Sequence, residues 1–409
     1  MTRPELPLID PGFGSSVRDP RPGIAGLEPG RLGEWLAEHG EPGYRATQLL
    51  DACWRGAAGS FDAVRTLPAG LRASLAEDFR WTTIEAETLV EADGGLTEKA
   101  LHQLSDGSRV ESVLMHFPGG PGRRARRTLC ISSQAGCAVG CPFCATGELG
   151  FGRDLEMAEI VDQVRSAAWR LARRRDPARL TNVVFMGMGE PLLNLDRVLE
   201  AIAALNDPRR FGLAARSITV STSGVVPGIR RITALGPQFT LAISLHAARD
   251  ALRDVLVPLN RRWPVAEVVG AARDHARATG RRVSYELTMI DGVNDTDEDA
   301  GALAELLRGD LAHVNLIPMN PVAHTPWRAS PTPVIGRFAA RVRGAGIPVT
   351  IRHNRGVDVG AACGQLAAEH AGQPTAAVVA RRRRRLEEAS ARALRGDRSD
   401  EPVPAGVEP

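Results

Sequence analysis

The sequence is poor in lysine and in aromatic residues. All but one of its 51 basic residues are arginine, the exception being Lys99, and aromatic residues make up only 4% of the chain. So few aromatic rings argue against a surface that binds single strands by stacking on their bases. No apolar run reaches the roughly 18 residues of a membrane helix, and the segment MTRPELPLIDPG lacks the apolar stretch of a signal peptide. We therefore expect a cytoplasmic protein without a membrane partner.

Cysteine is also scarce, and three of the six cysteines fall in one short stretch. Six cysteines in 409 residues do not make a disulfide scaffold, and clustered thiols in a reducing compartment are metal ligands or catalysts. The stretch CAVGCPFC places Cys137, Cys141 and Cys144 in the pattern C-x-x-x-C-x-x-C. A zinc site would need a second ligand pair, and none is evident. A [4Fe–4S] cluster held by three thiolates would keep one iron open to another ligand.

Positive charge is concentrated although the net charge is only +3. Arginines cluster at residues 123–127, 173–175 and 381–385. The guanidinium fork suits phosphate, so each cluster is a candidate contact for nucleic acid. A solvated surface in an arginine-rich chain explains any single cluster equally well.

The order of predicted elements indicates an α/β fold. Residues 28–88 carry helical periodicity, and residues 96–116 alternate around Asp106-Gly107 as a β-hairpin does. From Thr128 onward, strand and helix patterns alternate six to seven times, which predicts a parallel sheet. Polar or glycine-bearing loops follow strand after strand, and in a (β/α) barrel such loops converge on one mouth. A doubly wound sheet would concentrate them at one switch point, so the barrel is favoured.

The cysteine pattern in the loop after the first strand resembles that of the radical S-adenosylmethionine (SAM) enzymes. That resemblance implies a [4Fe–4S] cluster on Cys137, Cys141 and Cys144, with SAM as ligand of the open iron. GMGEP resembles the loop of that superfamily that contacts the SAM amino group, which implies backbone contacts from Gly189 and Glu190. Further SAM contacts are expected from short groups at strand ends, each of which alone is typical of a cap or turn: Ser221, Ser244, Leu245, His246 and Asn320.

Six segments together resemble a narrower family, the bacterial radical SAM methyltransferases of adenine C2 in 23S ribosomal RNA and transfer RNA. They are TLCISSQAGCAVGCPFCATG, GMGEPLLN, ITVSTSGVVP, AISLHA, NLIPMNP and AACGQLA, and the resemblance covers about residues 28–372. Two departures stand out: Met319 replaces an expected aromatic residue, and the connection FPGGPGRRARR is longer than usual.

The resemblance implies roles for three residues outside the cluster. Cys363 accepts a methyl group and becomes bonded to the RNA, Glu111 removes the C2 proton, and Cys130 releases the product by forming a disulfide with Cys363. Each turnover consumes two SAM and needs an electron donor such as a flavodoxin or ferredoxin. We expect a monomer. The simpler interpretation of Glu111 is a solvated hairpin carboxylate, and that of Cys53 is a buried apolar residue.

The implied fold is a partial (β/α)6 radical SAM barrel with a small N-terminal helical domain and a β-hairpin extension. The expected division is 1–24 disordered, 25–95 a helical RNA-binding domain, 96–122 hairpin and basic loop, 123–358 radical SAM core, 359–375 catalytic-cysteine segment, and 376–409 a basic disordered tail with at most a short helix at 380–394.

Two other functions stay open at this point. A sister enzyme of the same superfamily methylates C8 of the same adenine, confers antibiotic resistance and shares the cluster and both cysteines. A non-catalytic iron–sulfur RNA-binding protein would use the arginine clusters but would give no role to Cys130 or Cys363.

Overall fold

Three short helices open the described part of the chain. The computed structural model describes residues 18–55, 58–122, 124–352, 355–362, 364–366 and 376–397. Helices α1 (Pro29–Glu38), α2 (Tyr44–Trp54) and α3 (Ala69–Asp78) occupy the segment predicted to be helical. They bury apolar side chains against one another and against the first turn of the described chain: Ile24, Leu32, Leu36, Leu49, Leu71 and Leu75.

A three-stranded antiparallel unit follows the helices. Strand β1 (Ile84–Ala92) pairs with β2 (Thr97–Leu104), which pairs with β3 (Arg109–Phe117). The predicted hairpin around Gly107 is confirmed, and the Asp106 carboxylate accepts a hydrogen bond from the amide of Ser108 in its turn. Strand β1 was not expected, because the segment IEAETLVEA lacks a regular alternation of apolar side chains. In the structure most of its residues are exposed.

The rest of the chain mostly alternates strands and helices as predicted. The elements are β4 (Arg126–Cys130), β5 (Gln134–Gly136), α4 (Ala145–Leu149), β6 (Phe151–Asp154), α5 (Met157–Ala172), β7 (Asn182–Phe185), α6 (Leu195–Asn206), β8 (Ile218–Thr222), α7 (Val226–Leu235), β9 (Thr240–Ser244), α8 (Asp250–Leu256), α9 (Val265–Thr279), β10 (Val283–Met289), α10 (Asp297–Leu306), β11 (Ala312–Pro318), α11 (Thr332–Gly344), β12 (Val349–Ile351) and α12 (Ala376–Leu394). The predicted first strand is divided into β4 and β5. Helix α8 and the short elements α4 and β6 were not expected.

One ten-stranded sheet organises these elements, in the order β1-β2-β3-β4-β7-β8-β9-β10-β11-β12. Strand β4 is antiparallel to β3 and parallel to β7, and every later neighbour in the sheet is parallel. Within the described residues the edge strands β1 and β12 do not pair with each other, which makes this a partial barrel with an antiparallel extension. Strands β5 and β6 form a separate ribbon.

The two faces of the parallel strands differ in polarity because successive side chains alternate between faces. One face is apolar and buried under the helices, with Val183, Phe185, Val220, Leu241, Ile243, Leu287, Val314 and Leu316. The other face, on the inside of the barrel, carries Thr219, Ser221, Ser244, Ser284, Glu286 and Asn315. A polar interior is what a barrel needs when its inside binds a polar ligand.

Buried charges fasten the N-terminal helices to the barrel. The Asp162 carboxylate on α5 accepts hydrogen bonds from the amide (2.7 Å) and hydroxyl (2.8 Å) of Thr83. Arg165, one turn later, pairs with Asp162 and donates to the carbonyl oxygens of Cys53 (3.1 Å) and Trp81 (3.0 Å). Removal of either charge would leave the other buried without its partner, which costs about 3–5 kcal/mol. Cys53 is 3% exposed, as expected for an apolar core residue.

The two ends of the chain differ from expectation in their described parts. Residues 18–26 pack on α5, with Ile24 and Ala25 buried, and residues 1–17 lie outside the described residues. Residues 376–394 form helix α12 where we expected a basic tail with at most a short helix. Part of the predicted basic loop belongs to β4, which begins at Arg126, while Arg123 lies outside the described residues.

No helix in the described ranges is long and apolar enough to span a membrane.

Candidate functional site

The three clustered cysteines lie in the loop between β5 and α4. Backbone hydrogen bonds fold this loop tightly, from the Cys137 amide to the Gly150 carbonyl (2.7 Å) and from the Cys144 amide to the Cys141 carbonyl (3.0 Å). A Cβ atom on Gly147 would lie 2.9 Å from the backbone nitrogen and oxygen of Cys141, so glycine is required for α4 to pack this close. All three cysteine side chains are half-buried. The loop therefore presents three thiols from a fixed backbone.

Burial makes two of these thiols, those of Cys137 and Cys141, poor acids in the absence of a metal. It raises the pKa of Cys137 to about 12 and that of Cys141 well above the usual 9.0, and the neighbouring cysteines add to both shifts. Thiolates form here when a metal supplies the compensating positive charge. Across the described residues no three His, Cys, Asp or Glu side chains converge as the ligands of a single ion would. A [4Fe–4S] cluster does not require such convergence, because each thiolate binds a different iron, and the soft donor set fits it.

The loop after β7, with the sequence GMGEP, rests directly on the end of the first barrel strand. A Cβ atom on Gly187 would lie 2.6 Å from the carbonyl oxygen of Ile131, and one on Gly189 would lie 2.6 Å from Cβ of Gln134. Gly189 also has φ +99°, a conformation that side chains disfavour. Only glycine at both positions lets the loop lie this close to Ile131 and Gln134.

Glu190 joins this loop to the loop after β8. One carboxylate oxygen accepts hydrogen bonds from the amide and hydroxyl of Ser223, both 2.7 Å, and the other accepts from the amide of Leu192 (3.0 Å). The Glu190 amide donates to the side chain of Gln134 (2.8 Å). Burial raises the pKa of Glu190, and these hydrogen bonds oppose that shift. The Glu190 carboxylate is thus held within the protein by hydrogen bonds from Ser223 and Leu192.

The loops after β8 and β9 meet on the polar inside of the barrel. The hydroxyls of Ser221 and Ser244 are 3.1 Å apart. The amides of Leu245 and His246 both donate to the carbonyl oxygen of Glu286, at 3.1 and 3.2 Å. These contacts hold the SLH stretch against β10.

His246 connects the SLH stretch to the cysteine loop. It has φ +61°, and its ring centroid lies 4.6 Å from that of Phe143, which stands between two of the cysteines. Its Nδ1 accepts a hydrogen bond from the amide of Thr288 (3.1 Å), which places the ring proton on Nε2. Burial, and then the charge of Arg253, lower the pKa of His246 to about 3, so the ring is neutral at neutral pH.

A fully buried arginine on α8, which sequence patterns did not indicate as part of the site, connects these loops. Arg253 donates to the carbonyl oxygens of Leu245 (2.9 Å) and Ser223 (2.5 Å) and to the side chain of Asn260 (2.9 Å). Burial lowers the pKa of Arg253 to about 10, and Cys141, Asp250 and Asp254 oppose the shift, so the guanidinium is charged at neutral pH. These hydrogen bonds fix the carbonyl oxygens of two neighbouring loops from a single buried side chain.

The loop after β11 completes the mouth. Asn320 is buried there, 4% exposed, and the His324 ring nitrogen Nε2 lies 2.9 Å from the carbonyl oxygen of Pro142 in the cysteine loop. His324 is a second contact that the sequence alone did not indicate. The loops after β4, β7, β8, β9 and β11 therefore meet at one end of the barrel, as predicted.

Cys130 and Glu111 lie on one face of the sheet. Cys130 on β4 is paired with Val113 on β3, and Glu111 is two residues before Val113, so its side chain points to the same side. The Ser132 hydroxyl donates to the carbonyl oxygen of Glu111 (2.6 Å), which fixes the two strands where β4 ends.

Glu111 is not a solvated hairpin carboxylate. Its side chain is buried, and Nζ of Lys99 lies 3.3 Å from its carboxylate oxygen Oε1. Lys99 is itself 8% exposed and pairs across β2 and β3 with Val113, in the same row as Cys130. The chain has therefore buried its single lysine against the carboxylate that was predicted to act as a base.

Cys363 lies outside the described residues, but both of its neighbouring stretches are docked. Upstream, the amide of Gly356 donates to the Asp93 carboxylate at the turn between β1 and β2 (2.9 Å). Downstream, the carbonyl oxygen of Gly364 accepts from the amide of Ala145, directly after the last clustered cysteine (2.7 Å). The chain on one side of residue 363 thus contacts the hairpin extension, and on the other side it contacts the cysteine loop.

Comparison with known proteins identifies the family. Residues 131–306 match the family model of the radical SAM superfamily. A protein of Parafrankia sp. (strain EAN1pec), named "Probable dual-specificity RNA methyltransferase RlmN", is 50% identical over 342 residues, which cover 81% of this chain and 87% of that protein. A protein of the same name from Saccharopolyspora erythraea is 49% identical over 345 residues, covering 82% and 91%.

A solved structure agrees with the sequence relatives. The crystal structure of a radical SAM methyltransferase from Sphaerobacter thermophilus superposes with a TM-score of 0.80 at 46% identity, covering 85% of this chain and 99% of that one. The predicted partial barrel is confirmed, and the cofactors are a [4Fe–4S] cluster and SAM. With half of its residues identical over most of its length, the chain belongs to the family of dual-specificity RNA methyltransferases.

Proposed function

We propose that this chain methylates C2 of adenine in 23S ribosomal RNA and in transfer RNAs, through a methyl group carried on Cys363. The named relatives are dual-specificity RNA methyltransferases, and they support neither the C8 enzyme nor a non-catalytic RNA-binding protein. The observation that carries the proposal is the shared face of Glu111 and Cys130, beside a cysteine loop on which the chain next to Cys363 is docked.

C2 of adenine is electron-poor and does not displace a methyl group from a sulfonium. When bound, the cluster and SAM supply a methyl group and a 5′-deoxyadenosyl radical. The sulfur of Cys363 accepts the methyl group by displacement, and loss of a hydrogen atom from that S-methyl group leaves a carbon radical that adds to C2. The RNA is then bonded through a methylene group to the sulfur of Cys363.

Two residues complete the reaction in this proposal. The radical adduct gives up one electron to a one-electron acceptor such as an oxidised flavodoxin or ferredoxin, and Glu111 accepts the proton from C2. Lys99 holds the Glu111 carboxylate at a fixed position by the 3.3 Å ion pair. The thiolate of Cys130 then bonds to the sulfur of Cys363, and the carbon–sulfur bond breaks with its electron pair on the methylene carbon. That carbon takes up a proton and becomes the methyl group of the released RNA. The resulting disulfide must be reduced before the next turnover.

The cofactor contacts in this proposal follow the five loops that meet at the mouth. Cys137, Cys141 and Cys144 hold the cluster. The residues assigned to SAM are Gly189, Glu190, Ser221, Ser244, Leu245, His246 and Asn320. In this proposal residues 25–95 bind RNA, and a flavodoxin or ferredoxin donates the electron. The chain acts as a monomer in the reducing cytoplasm.

Replacement of Cys130 separates bond formation from product release. Cys130→Ala should still methylate Cys363 and attack RNA but should not release it. The product is then a covalent protein–RNA species, visible as a shifted band on a denaturing gel and stable to thiol reductants because its linkage is a thioether. Cys363→Ala should give no methylated adenine, and Cys53→Ala, which alters a buried core residue, should turn over normally.

Two results would contradict the proposal. Normal turnover by Cys130→Ala would remove the two-cysteine mechanism, and mass spectrometry that finds 8-methyladenine would assign the sister reaction. The cluster is tested separately: anaerobically reconstituted protein should bind about four irons, and Cys137→Ala should not. A stoichiometric zinc content without a brown chromophore would contradict the cluster.

A further inference from the structure

Helix α12 is docked on the barrel by one face. It packs against α8, and Leu386, Ala389, Ser390 and Ala393 recur at the spacing of a single helix face, with the last two nearly inaccessible to solvent. Helix α8 in turn follows β9 and carries Arg253, whose guanidinium holds the SLH stretch. The helix therefore lies at the end of the barrel where the candidate site is.

The arginine-rich first half of α12 reaches the loops around the clustered cysteines. Arg382 forms an ion pair with Glu148 on α4, which also lies 3.8 Å from the ring of His324. Arg383 donates to the carbonyl oxygen of Ala323 (2.7 Å), in the loop after β11. Two of the five consecutive arginines thus attach the helix to the rim of the mouth.

The other three arginines of the run are exposed. Arg381 and Arg384 lie on the side of the helix opposite to the one that packs on α8, and Arg385 lies at the edge between the two sides. Glu148 pairs with Arg382, and Glu387 and Glu388 follow the run, so these three carboxylates offset part of the charge of the five arginines. The docked helix still carries a net positive charge beside the mouth. The described side chains of α12 include no aromatic ring that could stack on a base.

We propose that Arg381, Arg384 and Arg385 of α12 form a contact surface for RNA phosphates at the rim of the active site. The guanidinium fork fits phosphate oxygens, and contacts of this kind position a nucleic acid without reading its sequence. A surface of this type suits an enzyme with two classes of RNA substrate, because ribosomal and transfer RNA share the phosphate backbone. This inference rests on the proposed function only in taking RNA as the substrate.

The test measures binding of the full chain to a transfer RNA transcript at several salt concentrations. The triple variant Arg381→Gln, Arg384→Gln and Arg385→Gln should bind on the order of tenfold more weakly near 0.1 M salt. The slope of log affinity against log salt should become shallower by up to about 2, since each lost phosphate contact removes roughly 0.7. Lysine at the same three positions should restore most of the affinity and the slope.

A matched control removes equal charge elsewhere. Arg230→Gln, Arg277→Gln and Arg337→Gln lie on α7, α9 and α11 and are exposed, and together they should leave affinity and slope close to those of the unaltered chain. Equal affinities and salt slopes in the two glutamine triples would overturn the proposal. It would also be overturned if the unaltered chain bound an acidic protein through α12 but did not bind RNA there.

Product analysis keeps this inference distinct from the proposed function. At saturating RNA the glutamine triple on α12 should form as much 2-methyladenine as the unaltered chain. If RNA binding depends on α12 but no 2-methyladenine forms in either protein, the proposed reaction fails and the surface stands. If 2-methyladenine forms but RNA affinity is the same with and without the three arginines of α12, the proposed surface is wrong and the proposed reaction is supported.

Discussion

The parallel and antiparallel parts of the sheet carry their candidate residues in different places. In the parallel part these residues lie in loops beyond the strand ends, as Gly189 and His246 do. In the antiparallel part they lie within strands, as Lys99 does on β2 and Glu111 on β3. Parallel strands bring their carboxyl ends to one mouth, whereas an antiparallel hairpin has no common end and can contribute only the side chains of one face. The first part should therefore be sensitive to backbone changes and the second to changes of charge.

The largest expected effect is in the antiparallel part. Lys99→Met should lower the free energy of unfolding by about 3–5 kcal/mol, because it leaves the carboxylate of Glu111 buried without its cation. Urea unfolding measures this loss.

Glu111→Gln should slow methylation of the RNA by about 10²–10⁴-fold if the carboxylate is the base, while methylation of Cys363 continues. Single-turnover assays measure this effect.

A double-mutant cycle decides whether these two residues act as a pair. The combined variant Lys99→Met, Glu111→Gln should be destabilised by less than the sum of the single changes, because no unpaired charge remains. Strictly additive losses would contradict the ion pair as the reason for burying Lys99.

A backbone change in the parallel part should come second. Gly189→Ala places a Cβ atom 2.6 Å from Cβ of Gln134 at φ +99°. It should lower the free energy of unfolding by roughly 2–4 kcal/mol and should weaken SAM binding, since the loop must move away from the strand end. Equilibrium binding of SAM and urea unfolding measure the two effects.

Gly270→Ala is the matched control for that change. Gly270 lies within α9, and a Cβ atom there meets nothing within 4 Å. The substitution should stabilise the chain by up to about 1 kcal/mol, as alanine does in a helix interior. SAM binding unchanged in Gly189→Ala would contradict the role given to the close approach of the GMGEP loop.

Counted per pH unit, the smallest effect is a pH dependence in the antiparallel part. His102 on β2 is fully buried, and burial, with the charge of Arg170, lowers its pKa from 6.5 to about 3. A carboxylate oxygen of Glu87 lies 3.6 Å from its ring, but that pair would be ionic only if the ring were protonated, which burial opposes. The unfolded chain takes up this proton near pH 6.5 and the folded chain only near pH 3. Stability therefore falls as the pH is lowered through that interval.

The contribution of His102 is about 1.4 kcal/mol per pH unit within the interval. His102→Gln should flatten the dependence of the free energy of unfolding on pH between pH 6 and about 4 by this amount. Urea unfolding at four pH values measures the slope, and equal slopes in the two proteins would contradict the neutral buried ring.

Features with a local signal were predictable from the sequence. The parallel strands and their helices follow from apolar periodicity, and the cysteine spacing predicts the cluster without knowledge of the fold. The glycines of GMGEP marked a special turn, and the structure gives the reason in the close approach of Gly189 to Gln134. Each of these depends on residues close together in the sequence.

Features that depend on distant contacts were not predictable. Arg253 looks like an ordinary polar residue of a short helix, and only the folded loops reveal the carbonyl oxygens that it binds. Strand β1 pairs because β2 offers it an edge, not because of its own pattern. Helix α12 reads as a solvated charge run, since the apolar face that holds it involves only a few small residues and the surface of α8.

The scarcity of lysine provides this protein with a built-in chemical reporter. Lys99 is the one lysine of the chain, its amine is enclosed by Glu111, and a Cβ atom at Gly360, close to the segment of Cys363, would lie 3.7 Å from its Nζ. An amine-reactive acylating reagent therefore has one side-chain target, and that side chain is 8% exposed in the folded chain. The acylation rate of the peptide that contains Lys99, followed by mass spectrometry, should therefore measure how often this amine becomes accessible to solvent, with no introduced label.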